Sequence, residues 1–173
     1  MHVYTKTGDL GETQIGTERK PKDCPDAEVI GEIDELVSLL GVVASKIDNP
    51  SEIERIISDL MSLNAHIMSE GKYAFRGSTE TLERRIDEMW VDAGDLNRFI
   101  LRFTDLIASE IHYARAVCRR VERKLVAFSK GADWMDRKAL AYVNRLSDYL
   151  FALARWANKK NGGKEIPWLS DRT

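Results

Sequence analysis

The chain has 173 residues and a mass of 19.7 kDa, with 43% hydrophobic and 31% charged residues, which excludes a disordered protein and suits one domain with its own core. The 26 Lys+Arg against 28 Asp+Glu leave a net charge of -2, which argues against a protein built to coat nucleic acid. Two cysteines, Cys24 and Cys118, form no disulfide framework and show no metal-site spacing, so a reducing, cytoplasmic setting is expected.

Residues 1–25 are rich in Gly and Thr and lack helical periodicity, which predicts an irregular ordered arm with room for a short strand. Pro25 and the N-cap candidate Asp26 open the first helix, whose apolar positions Val29, Ile33, Leu36, Leu40, Val43 and Ile47 follow a 4-3-4-3-4 spacing up to Asn49-Pro50. Ser51 and Glu54 make a capping-box pattern for a second helix, which carries Ile53, Ile56, Ile57, Leu60, Ile67 and Met68 and stops at Gly71. A third helix is expected from about Ser78 through Leu82, Ile86, Met89 and Trp90. Asp105 can cap a fourth, in which Ile107, Ile111, Ala114, Cys118, Val121, Leu125 and Phe128 mark a bundle seam. The fifth runs from about Asp136 to Asn158, with Gly162-Gly163 beyond its end. The expected fold is all-α: a single domain with a five-helix up-down bundle over 26–160, an N-terminal arm (1–25) and a C-terminal tail (161–173). No stretch is apolar and long enough for a membrane span, and the first six residues lack a signal-peptide core.

Three constellations could carry chemistry. In Thr5-Lys6-Thr7-Gly8-Asp9-Leu10-Gly11-Glu12-Thr13, glycines let backbone N–H groups turn toward an anion while hydroxyls and a lysine add donors and charge. The segment reads either as a polyphosphate cradle, aided by Arg19 and Lys22, or as a turn-rich terminal arm; it is no Walker A sequence. Arg115, Arg119 and Glu122 share one stripe at i, i+4, i+7, with Arg120, Arg123 and Lys124 alongside. This stripe is either an anion site or subunit contact, or a salt-bridged flank facing the acidic residues Asp26, Glu28, Glu32, Asp34 and Glu35. Asn144, Ser147 and Asp148 share a face of the fifth helix and suit either a nucleoside or a hydrogen-bond network between helices. No Glu-x-x-His occurs, which disfavours a di-iron bundle, and His2, His66 and His112 share no metal spacing, so no protein metal ligands are assigned.

Taken in order, five stretches resemble the PduO-type ATP:cob(I)alamin (corrinoid) adenosyltransferases. They are Tyr4–Thr13, Arg19-Lys20-Pro21-Lys22-Asp23, Gly31-Glu32-Ile33-Asp34-Glu35-Leu36, His112–Arg123 and Asn144–Phe151. The resemblance implies a homotrimer with sites between neighbouring subunits, which transfers the 5′-deoxyadenosyl group of ATP to reduced cobalamin and releases triphosphate. By that likeness Thr5, Lys6, Thr7, Gly8, Asp9 and Lys22 wrap the ATP phosphates. Arg119, Glu122 and Asn144 contact the nucleotide, with Arg120 and Asp148 in support. Arg115 pairs with Asp34 across the subunit boundary, and Phe99 displaces the lower axial ligand of the corrinoid. Mg²⁺ accompanies the ATP, and a reductase supplies the cobalt(I) form; no nucleic acid or membrane partner is implied. One departure stands out: Arg102-Phe103-Thr104 replaces the Pro-Gly-Gly common after Phe-Ile-Leu, and Val37 replaces a usual Asn. This points to a reshaped corrin pocket, a changed corrinoid preference or reduced activity. It also motivates a rival, a non-catalytic ATP-binding trimer that has lost corrinoid chemistry; a plain structural bundle is a third alternative.

Overall fold

The computed structural model describes residues 4–168; residues 1–3 of the expected arm and 169–173 of the expected tail lie outside the described residues. The elements are β1 (Glu12–Ile15), β2 (Glu18–Pro21), α1 (Pro25–Ala44), α2 (Ser51–Met68), α3 (Thr79–Ala93), β3 (Ile100–Phe103), α4 (Leu106–Ser129), α5 (Arg137–Lys160) and β4 (Glu165–Pro167). The five helices expected from the apolar spacing are all present. Two antiparallel ribbons, β1–β2 and β3–β4, qualify the all-α expectation.

The helices form where the apolar stripes are. Val29, Ile33, Leu36, Leu40 and Val43 of α1 are buried, as are Ile111, Ala114, Cys118, Val121 and Leu125 of α4. Together with Ile56, Leu60 and Leu63 of α2 and Tyr142, Val143, Leu146 and Leu150 of α5, they form a single core. Asp105, Asp136 and Ser78 cap α4, α5 and α3 by accepting the N–H of Ala108, Lys138 and Thr81.

Two helix starts differ from expectation. Cys24, not Asp26, caps α1: its Sγ accepts the Ala27 N–H at 3.4 Å, while Asp26 pairs with Lys20 at 3.0 Å. The capping box at α2 does not form either. Pro50 is the N-cap without a side-chain bond, and Asn49 Oδ1 takes both the N–H (3.3 Å) and the hydroxyl (2.8 Å) of Ser51. Helix α1 also ends at Ala44, before Ile47, which packs on the core from the following turn.

Successive helices alternate in direction. Lys124 of α4 pairs with Glu28 near the start of α1, while Lys46, just past the end of α1, pairs with Glu110 near the start of α4. By contrast α3 and α5, although neighbours, run parallel: Glu83 meets Arg145, and Asp92 meets Trp156 and Lys159. The molecule therefore has two chemically different ends. At one lies the β1–β2 hairpin, where Gly16 at φ 58° sits so close to the Met68 carbonyl oxygen of α2 that a Cβ would collide with it. At the other lies β3–β4, the latter from the chain's last described stretch.

Because α1 is buried along its whole apolar stripe, Leu36→Ala should lower the unfolding free energy by about 2–5 kcal/mol. Denaturant titration should show the loss, and a change below about 1 kcal/mol would mean that the α1 seam is not a close-packed part of the core.

Candidate functional site

At the hairpin end the arm folds into a hook. Gly11 N–H donates to the Gly8 carbonyl (3.2 Å) and Lys22 N–H to the Gly11 carbonyl (2.8 Å), while the Arg19 guanidinium donates to the Thr7 carbonyl and to Glu12 (3.0 Å). The hydroxyls of Thr5 and Thr7 are 2.8 Å apart, and Lys6 adopts φ 60°. A Cβ on Gly8 would lie 3.4 Å from Lys22 Nζ and 3.1 Å from the Glu12 carbonyl oxygen. Thr5, Thr7, Gly8 and Lys22 are thus brought to one exposed turn, with Asp9 exposed beside them. Backbone bent this way, next to a lysine and two hydroxyls, is suited to an anion.

The second group lies along the α4–α5 seam. Arg115, Arg119 and Glu122 line one edge of α4; Asn144, Asp148 and Phe151 recur at one- and two-turn spacing on α5. The Arg115 guanidinium lies over the Phe151 ring at 5.3 Å. Burial lowers the Arg115 pKa, and the Arg119 charge adds to this while that of Asp148 opposes it. Cys118 sits under this group with its Sγ toward the Val143 carbonyl at 3.4 Å, and burial pushes its thiol pKa far up, making it an inert core residue. Among the described residues Arg119, Glu122 and Asn144 make no side-chain hydrogen bond or ion pair, and Asp34 on α1 makes none either. Asp148 is bonded to Arg145 at 2.6 Å.

Two of the flanking cations, Arg120 and Lys124, make the salt-bridged flank, while Arg123 is exposed and makes no ion pair among the described residues. Arg120 pairs with both Glu32 and Glu35, and Lys124 with Glu28. Arg120, which the resemblance places in support of the nucleotide site, is directed at α1 in this chain.

Phe99 lies at the opposite end from the arm, 80% exposed, just before β3. Arg102-Phe103-Thr104 does not make a turn. Ile100–Phe103 pairs with Glu165–Pro167, with an irregularity between Ile100 and Arg102, and Phe103 is buried with its ring edge-on to His112 at 5.2 Å. An apolar cleft of about 640 Å³ between α3 and α5, lined in part by Trp90, Val91, Phe151 and Asp148, adjoins the Arg115 end of the seam.

No hydrogen bond or ion pair among the described residues joins Thr5, Thr7, Gly8, Arg19 or Lys22 to Arg119, Glu122 or Asn144 within one chain. With 24 residues, α4 spans about 36 Å, so the arm and Phe99 of one copy stand at opposite ends of a long rod.

Sequence reasoning missed His112, Phe151 and Arg155. His112 touches Phe103 and Phe151, and its Nδ1 is buried without a partner. Arg155 had a readable signal, a charge in the apolar run Ala152-Leu153-Ala154, where an arginine needs partners from elsewhere. His66 is structural, as expected of a lone helix histidine: its Nε2 accepts the Asp136 N–H (3.2 Å) and its Nδ1 lies 2.7 Å from the Tyr73 carbonyl.

Residues 3–157 match the family described as cobalamin adenosyltransferase. The corrinoid adenosyltransferase of Bacillus subtilis (strain 168) is 35% identical over 179 residues, covering 97% of this chain and 92% of that protein. Corrinoid adenosyltransferase MMAB of Homo sapiens is 36% identical, covering 94% and 71%. A single-residue variant of the PduO-type ATP:corrinoid adenosyltransferase from Lactobacillus reuteri, solved with cobalamin and ATP, superposes with a TM-score of 0.89 at 31% identity, covering 98% of this chain and all of that one. Another variant of that enzyme, solved with ATP, gives 0.88 at 31%, covering 96% of this chain and all of that one.

Burial, with Arg115 adding to it, lowers the His112 pKa below 6.5. The folded protein then takes up this proton at lower pH than the unfolded chain, so His112 withdraws stability as pH falls from about 6.5 toward its folded value. NMR titration should place His112 below 6.5, and Arg115→Met should move it upward; an ordinary midpoint in the native protein would contradict the dry environment described.

Proposed function

This chain belongs to the cobalamin adenosyltransferase family, and we propose that its reaction centre is assembled from two copies, the arm of one closing over the α4–α5 face of the next in a homotrimer. Its activity is ATP-dependent adenosylation of cobalamin. One observation carries the two-copy reading: among the described residues the hook of Thr5, Thr7, Gly8 and Lys22 shares no hydrogen bond or ion pair with the open face of Arg119, Glu122 and Asn144 in the same chain, although the reaction needs both.

The chemistry asks little of protein acids and bases. Cobalt(I) supplies an electron pair to the ribose C5′ of ATP; the cobalt–carbon bond forms as the C5′–oxygen bond breaks, and triphosphate leaves with that bond's electrons. The protein's work is alignment and charge stabilisation. Thr5, Thr7, the Gly8 and Asp9 backbone, Lys6 and Lys22 hold the triphosphate. Arg119 faces the phosphates from the neighbouring copy, and Glu122 and Asn144 hold the nucleoside. Asp148 keeps Arg145 in place beside them. Arg115, already propped on Phe151, pairs with Asp34 of the adjoining copy, which gives an ion pair to two charges that have none in their own chain among the described residues. Arg120, held by Glu32 and Glu35, supports the α1–α4 framework from which these residues project rather than meeting ATP directly.

Mg²⁺ fits as a companion of the triphosphate and not as a resident ion. No group of three His, Cys, Asp or Glu able to hold a metal occurs among the described residues, and Mg²⁺ commonly takes phosphate oxygens and water with few protein ligands.

On the corrinoid side, Phe99 offers an exposed aromatic ring to the lower face of the corrin, and the cleft beside Phe151 and Trp90 offers apolar surface. A reductase supplies the cobalt(I) form. The non-catalytic alternative loses its motive, since Arg102-Phe103-Thr104 is built into a paired strand and its junction, leaving Phe99 presented to solvent. No described helix is long and apolar enough to cross a membrane.

Under anaerobic reducing conditions the protein should convert cob(I)alamin to adenosylcobalamin with one triphosphate released per ATP; a spectrum without that product would reject the activity. Arg119→Ala should remain folded yet lower kcat/KM by about 10²-fold or more, the size expected for loss of a charge stabiliser. The shared site has its own test. Lys22→Ala and Arg119→Ala proteins, each impaired alone, should regain activity when unfolded and refolded together, because mixed trimers contain some sites with both native halves. Absence of any recovery would place both halves in one chain.

A further inference from the structure

Arg155 is 1% exposed and surrounded by Ala152, Ala154 and Ala157 of its own helix, so its charge must be answered inside the protein. Its Nε donates to Glu165 Oε1 at 2.8 Å, with Nη2 3.4 Å from Oε2. Nη1 donates to the Gly94 carbonyl at 3.0 Å, Nη2 lies 3.4 Å from the Asp95 carbonyl, and the guanidinium stacks 4.6 Å from the Trp90 ring. One planar group thus ties α5 to the exit of α3 and to β4.

Those anchor points bracket Phe99. Residues 95–99 leave the Gly94–Asp95 clamp on one side and reach β3 on the other. There the Trp168 N–H, one residue beyond β4, donates to the Phe99 carbonyl at 2.8 Å, and the two rings meet edge-on at 6.5 Å. Glu165 on β4 pairs with Phe103 of β3 and accepts from Arg155. With Phe99 80% exposed, its orientation is set by these backbone anchors and not by core packing around its ring.

We infer that Arg155 is a positioning residue for Phe99: its buried fork fixes the start of the 95–99 segment and the strand that holds the Phe99 carbonyl, so that the exposed ring keeps one orientation toward the corrinoid. This rests on the proposed contact between Phe99 and the corrinoid. Lysine cannot substitute, since a point charge cannot donate in four directions within one plane. The inference predicts a defect confined to one substrate, because Arg155 has no contact with the hook or with Arg119, Glu122 and Asn144.

The test compares Arg155→Lys, Glu165→Gln and Phe99→Ala in the full-length protein. The readouts are thermal unfolding, the ATP dissociation constant, KM for cob(I)alamin, and the visible spectrum of cob(II)alamin with ATP, which reports loss of the lower ligand. Arg155→Lys and Glu165→Gln should raise corrinoid KM by about tenfold and reduce the four-coordinate signal, with ATP affinity within about twofold of the parent. A merely structural defect would lower the unfolding temperature and weaken both substrates alike, which would overturn the assignment. So would parental corrinoid values in the folded variants when Phe99→Ala loses them. A neutral Phe99→Ala removes the underlying reading, and the inference with it. Should Arg155→Lys fail to fold, Glu165→Gln decides, since Glu165 is partly exposed and outside the helical core.

Discussion

The close contact of α4 with α5 sets the rest of the molecule. Small side chains allow it: Ala114 and Cys118 of α4 are buried, and the Cys118 Sγ reaches the carbonyl of the buried Val143 on α5. With the seam closed by apolar groups, the charged residues one position away on α4 can go only to its two edges. One edge meets the carboxylates of α1 and is neutralised there by Arg120 and Lys124. The other, with Arg115, Arg119 and Glu122, meets the polar edge of α5 and is left open. That single division separates the charges paired with α1 from charges that make no ion pair among the described residues.

The alternating directions of the helices add a second division, between ends. The arm returns to the start of α1, where Lys20 meets Asp26 and Gly16 rests on the Met68 carbonyl. Phe99 follows α3 to the far end. A reaction that joins a triphosphate-bearing nucleotide to a corrinoid needs two kinds of surface, and the proposed assembly supplies both by setting the hook of one copy against the α4–α5 flank of another. Arg115 and Asp34, neither with an ion pair among the described residues of its own chain, are the charges such an arrangement would bring together.

Much of this was legible in the residues. The 3- and 4-residue spacing of Val29 to Val43 and of Ile111 to Leu125 marked α1 and α4, because long amphipathic helices carry their burial pattern locally. The acidic α1 and basic α4 were readable as partners for the same reason. Helix starts were less legible: a cysteine thiol capped α1 in place of Asp26, which found Lys20 instead, and Asn49 displaced the capping box. The β3–β4 ribbon had no local signature, since four residues are too few for alternation to stand out and the strand that pairs with them comes some sixty residues later. Arg155 was opaque in a similar way. A charge inside an apolar run states that partners exist but not which, and here they come from α3, its following turn and β4.

That ribbon also gives the molecule an order of completion. The β1–β2 hairpin and its seat on Met68 draw on residues within the first seventy, so these contacts can form while synthesis is still under way. The Phe99 end stays open until Arg155 and Glu165 have left the ribosome, however early α3 and Phe99 emerge. A nascent chain would thus have its N-terminal hairpin long before its aromatic surface is set, and a chain stopped short of Glu165 would be a bundle with the Phe99 end unfinished.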